Sequence, residues 1–562
     1  MSFRLGAGFA AFALSMACNT HAQVVPGSAT RTEPLDIPGL PGAPRGGFDL
    51  QLPAPAGAAV ALPAPVWVKS FRISGLSFTP ASDLVPILAP WVGREVGIAE
   101  LTQAIAAVTA HLRRAGLLVA QATLPAQEIR DGVIDIAVFE GRIGTLTIDA
   151  PDGTRLKPSV TQRFLANLRP DDTIRRDNVE QSLLLLNDLP GIQVNASLAA
   201  SPRAGSADLR ASIENQGNPL TATFTLDNAG LRATGEFRAN MDLRWRSPLG
   251  LGDLLSLRVL GSDTGGQTLG VLTYGLPLNG AGTRAGLRIG EQHYRLGREF
   301  AVLNGHGRQG GASLMISHPL IRRIDHNLFI SAFHVRLDFS DRLDAVGFAS
   351  DSRQQITGAG LSLDWRDTWL GGGASLLQTQ YLSGRTRLDT PALAALDVAP
   401  GGLNVQGSYS LLRFRAQRTQ AIDPRSYLLI AVNGQAASKN LDAGTEMAIG
   451  GPNAVRAYPV GELFADQGML ARIEYTRAFN LIERAPTAIS LFFDHARVDI
   501  NRNPLPGGAA NKRSFAGYGA GLRQAIGANA TIQSSIAWRA TEAPASDADR
   551  HPRLWLSLVV RI

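Results

Sequence analysis

Catalysis in this 562-residue chain would have to be built from nine histidines, one cysteine and its carboxylates. The histidines are dispersed. They form no HExxH pair that could grip zinc from one helix face, and no nucleophile elbow occurs, so neither a metal site nor a triad can be assembled. There is no Walker loop, which removes nucleotide hydrolysis as an energy source. The run Gly305, His306, Gly307, Arg308, Gln309, Gly310 spells GxGxxG, but it lacks a strand-to-helix context and is expected to be a flexible outer loop. The chain is therefore expected to be no enzyme, with no cofactor and no metal. What does recur is arginine: Arg284, Arg288, Arg413, Arg415 and Arg472 each fall on the polar side of an alternating segment, which would gather positive charge on one face of a sheet.

The elements that carry those arginines run from about Leu220 to Ile562, a series of short stretches in which apolar and polar residues alternate. In the closing one, Leu554, Leu556, Leu558, Val560 and Ile562 alternate with Trp555, Ser557, Val559 and Arg561. One face would meet lipid and the other a wet or packed interior. Tight links such as Leu278 to Gly282 and Gly527 to Ala530 take turns with long polar ones such as Leu441 to Gln467. That asymmetry belongs to outer-membrane barrels and predicts a transmembrane β-barrel of about sixteen antiparallel strands, both ends periplasmic. About 22 residues per strand are available where about 9 to 11 suffice to cross, and the surplus is expected in the outer loops.

No mature stretch offers eighteen consecutive apolar residues, which excludes helical spans. Arg4 followed by an apolar run to Ala17, with Thr20, His21 and Ala22 before Gln23, reads as a signal peptide over residues 1–22 that carries Cys18 away. The formal charge of +7 comes almost wholly from arginine. No aromatic-rich basic platform accompanies it, so nucleic acid is not an expected partner.

Residues 23–65 are rich in Pro, Gly and Ala with no strand or helix period and read as a periplasmic linker. Two copies of one small α+β module follow, over residues 66–141 and 142–216. In the first, an amphipathic helix from Ile98 to Ala115 carries Leu101, Ile105, Val108 and Leu112 on one face, with Gly116 as its stop. The barrel takes residues 217–562.

Several stretches resemble the two-partner secretion transporters, the haemolysin-activator type of outer-membrane barrel with two periplasmic POTRA modules. They are Leu124-Pro125-Ala126-Gln127 with Asp131-Gly132 and Glu140-Gly141-Arg142-Ile143, then Leu186-Asn187-Asp188-Leu189-Pro190-Gly191. Leu226-Asp227-Asn228-Ala229-Gly230 and Ser247-Pro248-Leu249-Gly250-Leu251-Gly252-Asp253 follow at the barrel entrance. Val455-Arg456-Ala457-Tyr458 resembles the tip of the loop that folds back into the lumen in this superfamily, and Phe492-Phe493-Asp494 its partner motif on the thirteenth strand. Parity agrees, since Ile489, Leu491 and Phe493 would face lipid while Ser490, Phe492 and Asp494 point inward. Arg472 and Glu474 lie on the polar face of the twelfth strand. Ala457 stands where the family has glycine, so a positive φ there would be costly. Ile562 ends the chain where such barrels usually end in an aromatic residue, and the linker shows no plug helix.

The resemblance implies that an unfolded exoprotein of adhesin or haemolysin type crosses the barrel without nucleotide hydrolysis. Loop 441–468 would be inserted in the lumen and latched by Val455, Arg456, Ala457, Tyr458, Phe492 and Asp494, with Arg472 and Glu474 beside them. Leu101, Ile105, Val108 and Leu112 are the candidate cargo surface on the first module. Other expected partners are outer-membrane lipid and, during biogenesis, periplasmic chaperones and the barrel-assembly machinery, with the barrel itself monomeric. The competing reading is an assembly factor of the same superfamily that inserts other barrels; those usually carry more periplasmic modules.

Overall fold

The computed structural model describes residues 50–51, 65–482, 485–505, 510–544, 546–547 and 550–562. The expected signal peptide, Cys18, and most of the linker with its expected lack of a plug helix lie outside the described residues.

The first module forms around the helix Ile98–Arg114. Leu101, Ala104, Val108 and Leu112 recur at three- and four-residue spacing and all are buried. Glu100 reaches back to the Gly97 amide (3.0 Å) to close the N-terminus, and Gly116 at φ +98° ends the helix. The helix packs on a sheet ordered Ser70–Ser74, Val133–Phe139, Gln121–Thr123. A ribbon of Val66–Val68 with Arg94–Val96, too short to show a sequence period, seals one end. In the second unit, helices Pro158–Leu165 and Arg176–Asn187 cover strands Ile192–Ala200, Ser206–Asn215 and Arg142–Asp149.

One correction concerns the linker. Leu50–Gln51 is a strand that pairs in parallel with the outer edge of Ile192–Ala200, Leu50 opposite Ala196 and Gln51 opposite Ser197. Main-chain pairing needs no side-chain period, so composition could not announce it.

Sixteen antiparallel strands close into a barrel, each bonded to its sequence neighbours, and the seam joins Leu220–Asp227 to Arg553–Arg561. The eleventh to fourteenth strands are Ser426–Ala437, Gln467–Ile482, Ala485–Asp499 and Lys512–Ile526. The surplus residues sit mainly in the outer loops, the longest of which joins the eleventh and twelfth strands, and a smaller share lengthens strands. The sixth to tenth strands, Gly305–Arg322, His326–Leu343, Phe348–Asp367, Gly373–Leu388 and Gly407–Asp423, are 16 to 20 residues long. Beyond the bilayer their polarity inverts: Phe333, Val335, Leu337 and Phe339 pack inward while Arg336 and Asp338 face out. Above the lipid the outside is water, so the apolar face turns to the core.

The GxGxxG run is likewise corrected from loop to strand, opening the sixth strand. A Cβ at Gly307 would lie 2.3 Å from the Tyr294 ring, so this glycine admits a neighbouring aromatic side chain.

The second unit docks on the short turns after the second, fourth and sixth strands, which belong to the same rim as the N-terminal side. The Lys157 amide donates to Gly250 O (2.9 Å), Arg163 to Leu278 O (3.4 Å), and Arg322 to Asp188 through two bonds of 2.8 Å.

Candidate functional site in the barrel lumen

The loop between the eleventh and twelfth strands begins and ends at one buried carboxylate. Asp466, just before the twelfth strand, accepts from the amides of Leu441 (2.8 Å) and Arg502 (2.7 Å). Burial pushes its pKa up to about 6 against those hydrogen bonds. From this root a short hairpin, Met447–Ile449 with Leu463–Ala465, carries the chain inward. Gly450 and Gly451, at φ +96° and +97°, make the bend that a side chain would obstruct: a Cβ on Gly450 would sit 2.2 Å from Pro459 O.

The tip meets the inner wall of the twelfth to sixteenth strands. Arg456 is 7% exposed and Asp494 not at all. Asp494 Oδ2 accepts from Arg456 Nε (2.8 Å) and from its backbone amide (3.1 Å), while Oδ1 accepts from Nη2 (2.8 Å). Arg456 Nη1 donates to Glu474 (2.7 Å), and the guanidinium lies 3.3 Å from the Phe492 ring centroid. Arg472 joins Asp494 (3.2 Å) and also donates to the carbonyls of Pro452 and Ala454. Two guanidiniums therefore face two carboxylates, so the buried cluster is balanced. Tyr458 is fully buried, edge-on to Phe515 at 5.0 Å, with its hydroxyl 2.7 Å from Thr541 Oγ1. Val455 is buried in the same apolar cluster.

The structure thus brings together the loop residues Val455 to Tyr458, Phe492, Asp494, Arg472 and Glu474. Ala457 does not take a positive φ, so the cost expected for it does not arise. Room for its methyl group comes from opposite: a Cβ on Gly517 would stand 2.4 Å from Ala457 Cβ, and one on Gly519 2.5 Å from Phe492 Cζ. This Gly517-x-Gly519-x-Gly521 alternation, a bare stripe on the inner face of the fourteenth strand, is a signal present in the sequence that the expectations above do not use. Trp555 is a further member they omit; its indole donates to Arg456 O (2.7 Å). Of the lumen arginines, Arg413 holds the loop through Thr445 O (2.9 Å), Arg284 reaches Asp188 O (3.0 Å), and Arg415 donates to Gln417 (2.8 Å).

The expected cargo face on the first module is corrected. Leu101, Val108 and Leu112 are core residues at 1%, 0% and 0% exposure, and Ile105 packs against them. A helix of a module this small must spend its apolar face on the core.

A family model described as haemolysin secretion/activation protein ShlB/FhaC/HecB matches residues 205–524, more than half the chain. The chain belongs to this family. A ShlB-type POTRA domain matches residues 66–141. The heme/hemopexin transporter protein HuxB of Haemophilus influenzae (strain 86-028NP) is 26% identical over 483 residues, covering 85% of this chain and 83% of HuxB. The outer membrane transporter CdiB of Escherichia coli is 26% identical over 186 residues, 33% of this chain and 31% of CdiB. In solved structures, CdiB from Escherichia coli matches with a TM-score of 0.73 at 19% identity over 100% of both chains. CdiB from Acinetobacter baumannii gives 0.63 at 18%, over 90% of this chain and 91% of that one. Membership in the ShlB/FhaC/HecB family makes this chain an outer-membrane transporter of two-partner secretion, with its POTRA region in the periplasm of a Gram-negative bacterium.

Proposed function

We propose that the chain moves one unfolded partner exoprotein, of adhesin or haemolysin type, through the barrel, and that Arg456, held by Asp494 and Glu474, keeps loop 441–468 in the lumen until cargo arrives. In this reading residues 66–141 and 142–216 are two POTRA domains that capture the cargo, and residues 217–562 form the pore. Residues 1–22 are the signal peptide and 23–65 the linker. A sixteen-strand barrel admits an extended chain or a hairpin but no folded domain. Folding outside, on the order of 5 to 15 kcal/mol per domain, makes the movement one-way without nucleotide.

The observation that carries the proposal is the burial of the Arg456 and Asp494 pair. In water such a pair contributes at most about 1 kcal/mol, whereas in a dry site the loss of one partner costs about 3 to 5 kcal/mol. The edge of Ile192–Ala200, on which Leu50–Gln51 already lies, supports capture by strand addition in place of the buried face of the first module. Lipid, periplasmic chaperones and the assembly machinery serve a barrel that works as a monomer.

Deleting the chain and fractionating the cell tests this. One large exoprotein stranded in the periplasm is the expected result; depletion of many outer-membrane proteins would point to an assembly factor instead.

A further inference from the structure

On the outer wall of the fifth strand, Arg284–Arg295, and of the sixth to ninth, the lower half is apolar: Leu314, Ile316, Ile330, Leu361, Leu377 and Tyr381 are all exposed there. Ile330 pairs directly with Leu361, which marks the lipid level on two adjacent strands. Six residues further out along the seventh strand, about 20 Å at strand spacing, the same face becomes rich in arginine. Arg336 pairs with Gln355, which pairs with Arg385; in the next row Asp338 pairs with Arg353, which pairs with Arg387. Arg308 completes the group on the sixth strand.

These side chains point away from the barrel, with exposures of 53% for Arg336, 43% for Arg353, 72% for Arg387 and 62% for Arg308. Five guanidiniums share three carboxylates. Arg308 pairs with Glu291, Arg336 with Asp338 (3.3 Å), and Arg353 and Arg387 share Asp389 (2.6 and 2.8 Å). Arg385 has no ion pair among the described residues. Arg353 stands directly across from Arg387, an arrangement that like charges disfavour, and Asp389 bridges the two. Arg308, Arg336 and Arg353, with the carboxylates Glu291, Asp338, Asp351 and Asp389, also line an open groove of about 610 Å3 whose floor, Gly310 and Ala312, presents no long side chain.

We propose that this groove binds a phosphorylated, acylated lipid of the outer leaflet, its phosphates on Arg308, Arg336, Arg353 and Arg385 and its acyl chains along Leu314, Ile330, Leu361 and Tyr381. Guanidinium forks match phosphate oxygens. A soluble anion would gain nothing from the apolar wall. This wall reaches the groove along the sixth strand through Leu314 and Ile316 and resumes on the seventh to ninth below the polar row His334, Thr357 and Ser383, and it commits the site to a lipid. The bound lipid partners Arg385, which has no ion pair among the described residues, and fixes the height of the barrel in the membrane.

The test uses the full chain in detergent, its folded state checked by heat-modifiable gel mobility, with bisphosphorylated lipid A as the probe in mixed micelles. The triple variant Arg336→Gln, Arg353→Gln, Arg385→Gln should lower lipid A affinity by at least about tenfold. Arg497→Gln, an exposed outward arginine on the thirteenth strand, should leave it unchanged. Inorganic phosphate alone, and an uncharged glycolipid of equal chain length, should bind weakly to parent and variant alike. Parental affinity in the folded triple variant overturns the proposal. So does phosphate binding as well as lipid A, which would mean a soluble-anion site, or the uncharged lipid doing so, which would mean apolar adhesion. Cargo does not enter the measurement, so failure here leaves the transport reading untouched.

Discussion

Asp188, at the end of helix Arg176–Asn187, receives both Nε and Nη2 of Arg322, each at 2.8 Å, across the junction between the second module and the barrel. The third guanidinium nitrogen is satisfied by Asn327 (3.1 Å), and the Arg322 side chain is only 2% exposed. Removing the carboxylate with Asp188→Ala leaves a buried cation alone, at a cost of about 3 to 5 kcal/mol. Undocking of the module, read as proteolysis in the connecting residues 216–219, should rise by at least about 100-fold if that cost falls on docking. The neighbouring pair of Arg323 with Asp177 (2.8 Å) is 40% and 43% exposed, and Asp177→Ala should shift the same readout by less than about 1 kcal/mol. Equal effects would mean that the Asp188 contact is not what holds the module.

The four-charge cluster should resist a simple charge exchange. Arg456→Asp combined with Asp494→Arg would set a carboxylate on the loop tip against Glu474 and a guanidinium on the thirteenth strand against Arg472, because each original partner also pairs with a second group of opposite charge. The exchange should therefore fail to restore what either single change loses. A double-mutant cycle with Arg456→Gln and Asp494→Asn is the cleaner test. Coupling of about 2 to 3 kcal/mol in loop protection is expected, and a value under about 0.5 kcal/mol would exclude a direct pair.

Much of this site is legible in the sequence because a strand has period two. Ser490, Phe492 and Asp494 face inward and Leu491 and Phe493 outward, at 61% and 45% exposure, as parity requires. The period says nothing of which side is wet. In the outer half of the seventh strand, Val335 and Leu337 keep the alternation but reverse its meaning, since water replaces lipid there. Asp188 and Arg322 lie 134 residues apart, and no local pattern links them. The helix from Ile98 is legible as an element but not as a docking surface: an apolar stripe marks burial, and the core claims it.

Gly517 offers a third test, of fit in place of charge. A methyl group there would meet Ala457 Cβ at 2.4 Å, with backbone close behind at 3.6 Å, so the loop tip must move. Gly517→Ala should weaken loop insertion by about 1 to 3 kcal/mol, the usual cost of overpacking. Ala457→Gly in the same chain should recover most of it. Increased ion conductance of the single variant in planar bilayers, reversed in the double, is the expected signature; no reversal would place the strain elsewhere.

The root of the loop should carry a pH dependence. The Asp466 carboxyl is raised from 3.8 to about 6 by burial, so between those values the folded protein holds a proton that the unfolded chain has released. Stability from this group is therefore greatest in acid and falls as pH rises from about 4 to about 6, by up to about 3 kcal/mol, and stays low above that. Glu140 in the first module has the opposite sign. Burial pushes its carboxyl up, but the Ser77 hydroxyl and the Phe78 and Thr79 amides outweigh this and hold it below the usual range, so its contribution is lost as pH falls. A global melting curve would mix the two, so the readout must be local. Hydrogen exchange of the Leu441 and Arg502 amides, corrected for the intrinsic pH effect, should show protection declining across that window. Asp466→Asn should abolish the decline while exposing one of the two amides, since an amide group can accept only through its oxygen. Protection that is flat with pH in the parent would mean that Asp466 stays ionised throughout, stabilised by its two amide bonds despite its burial.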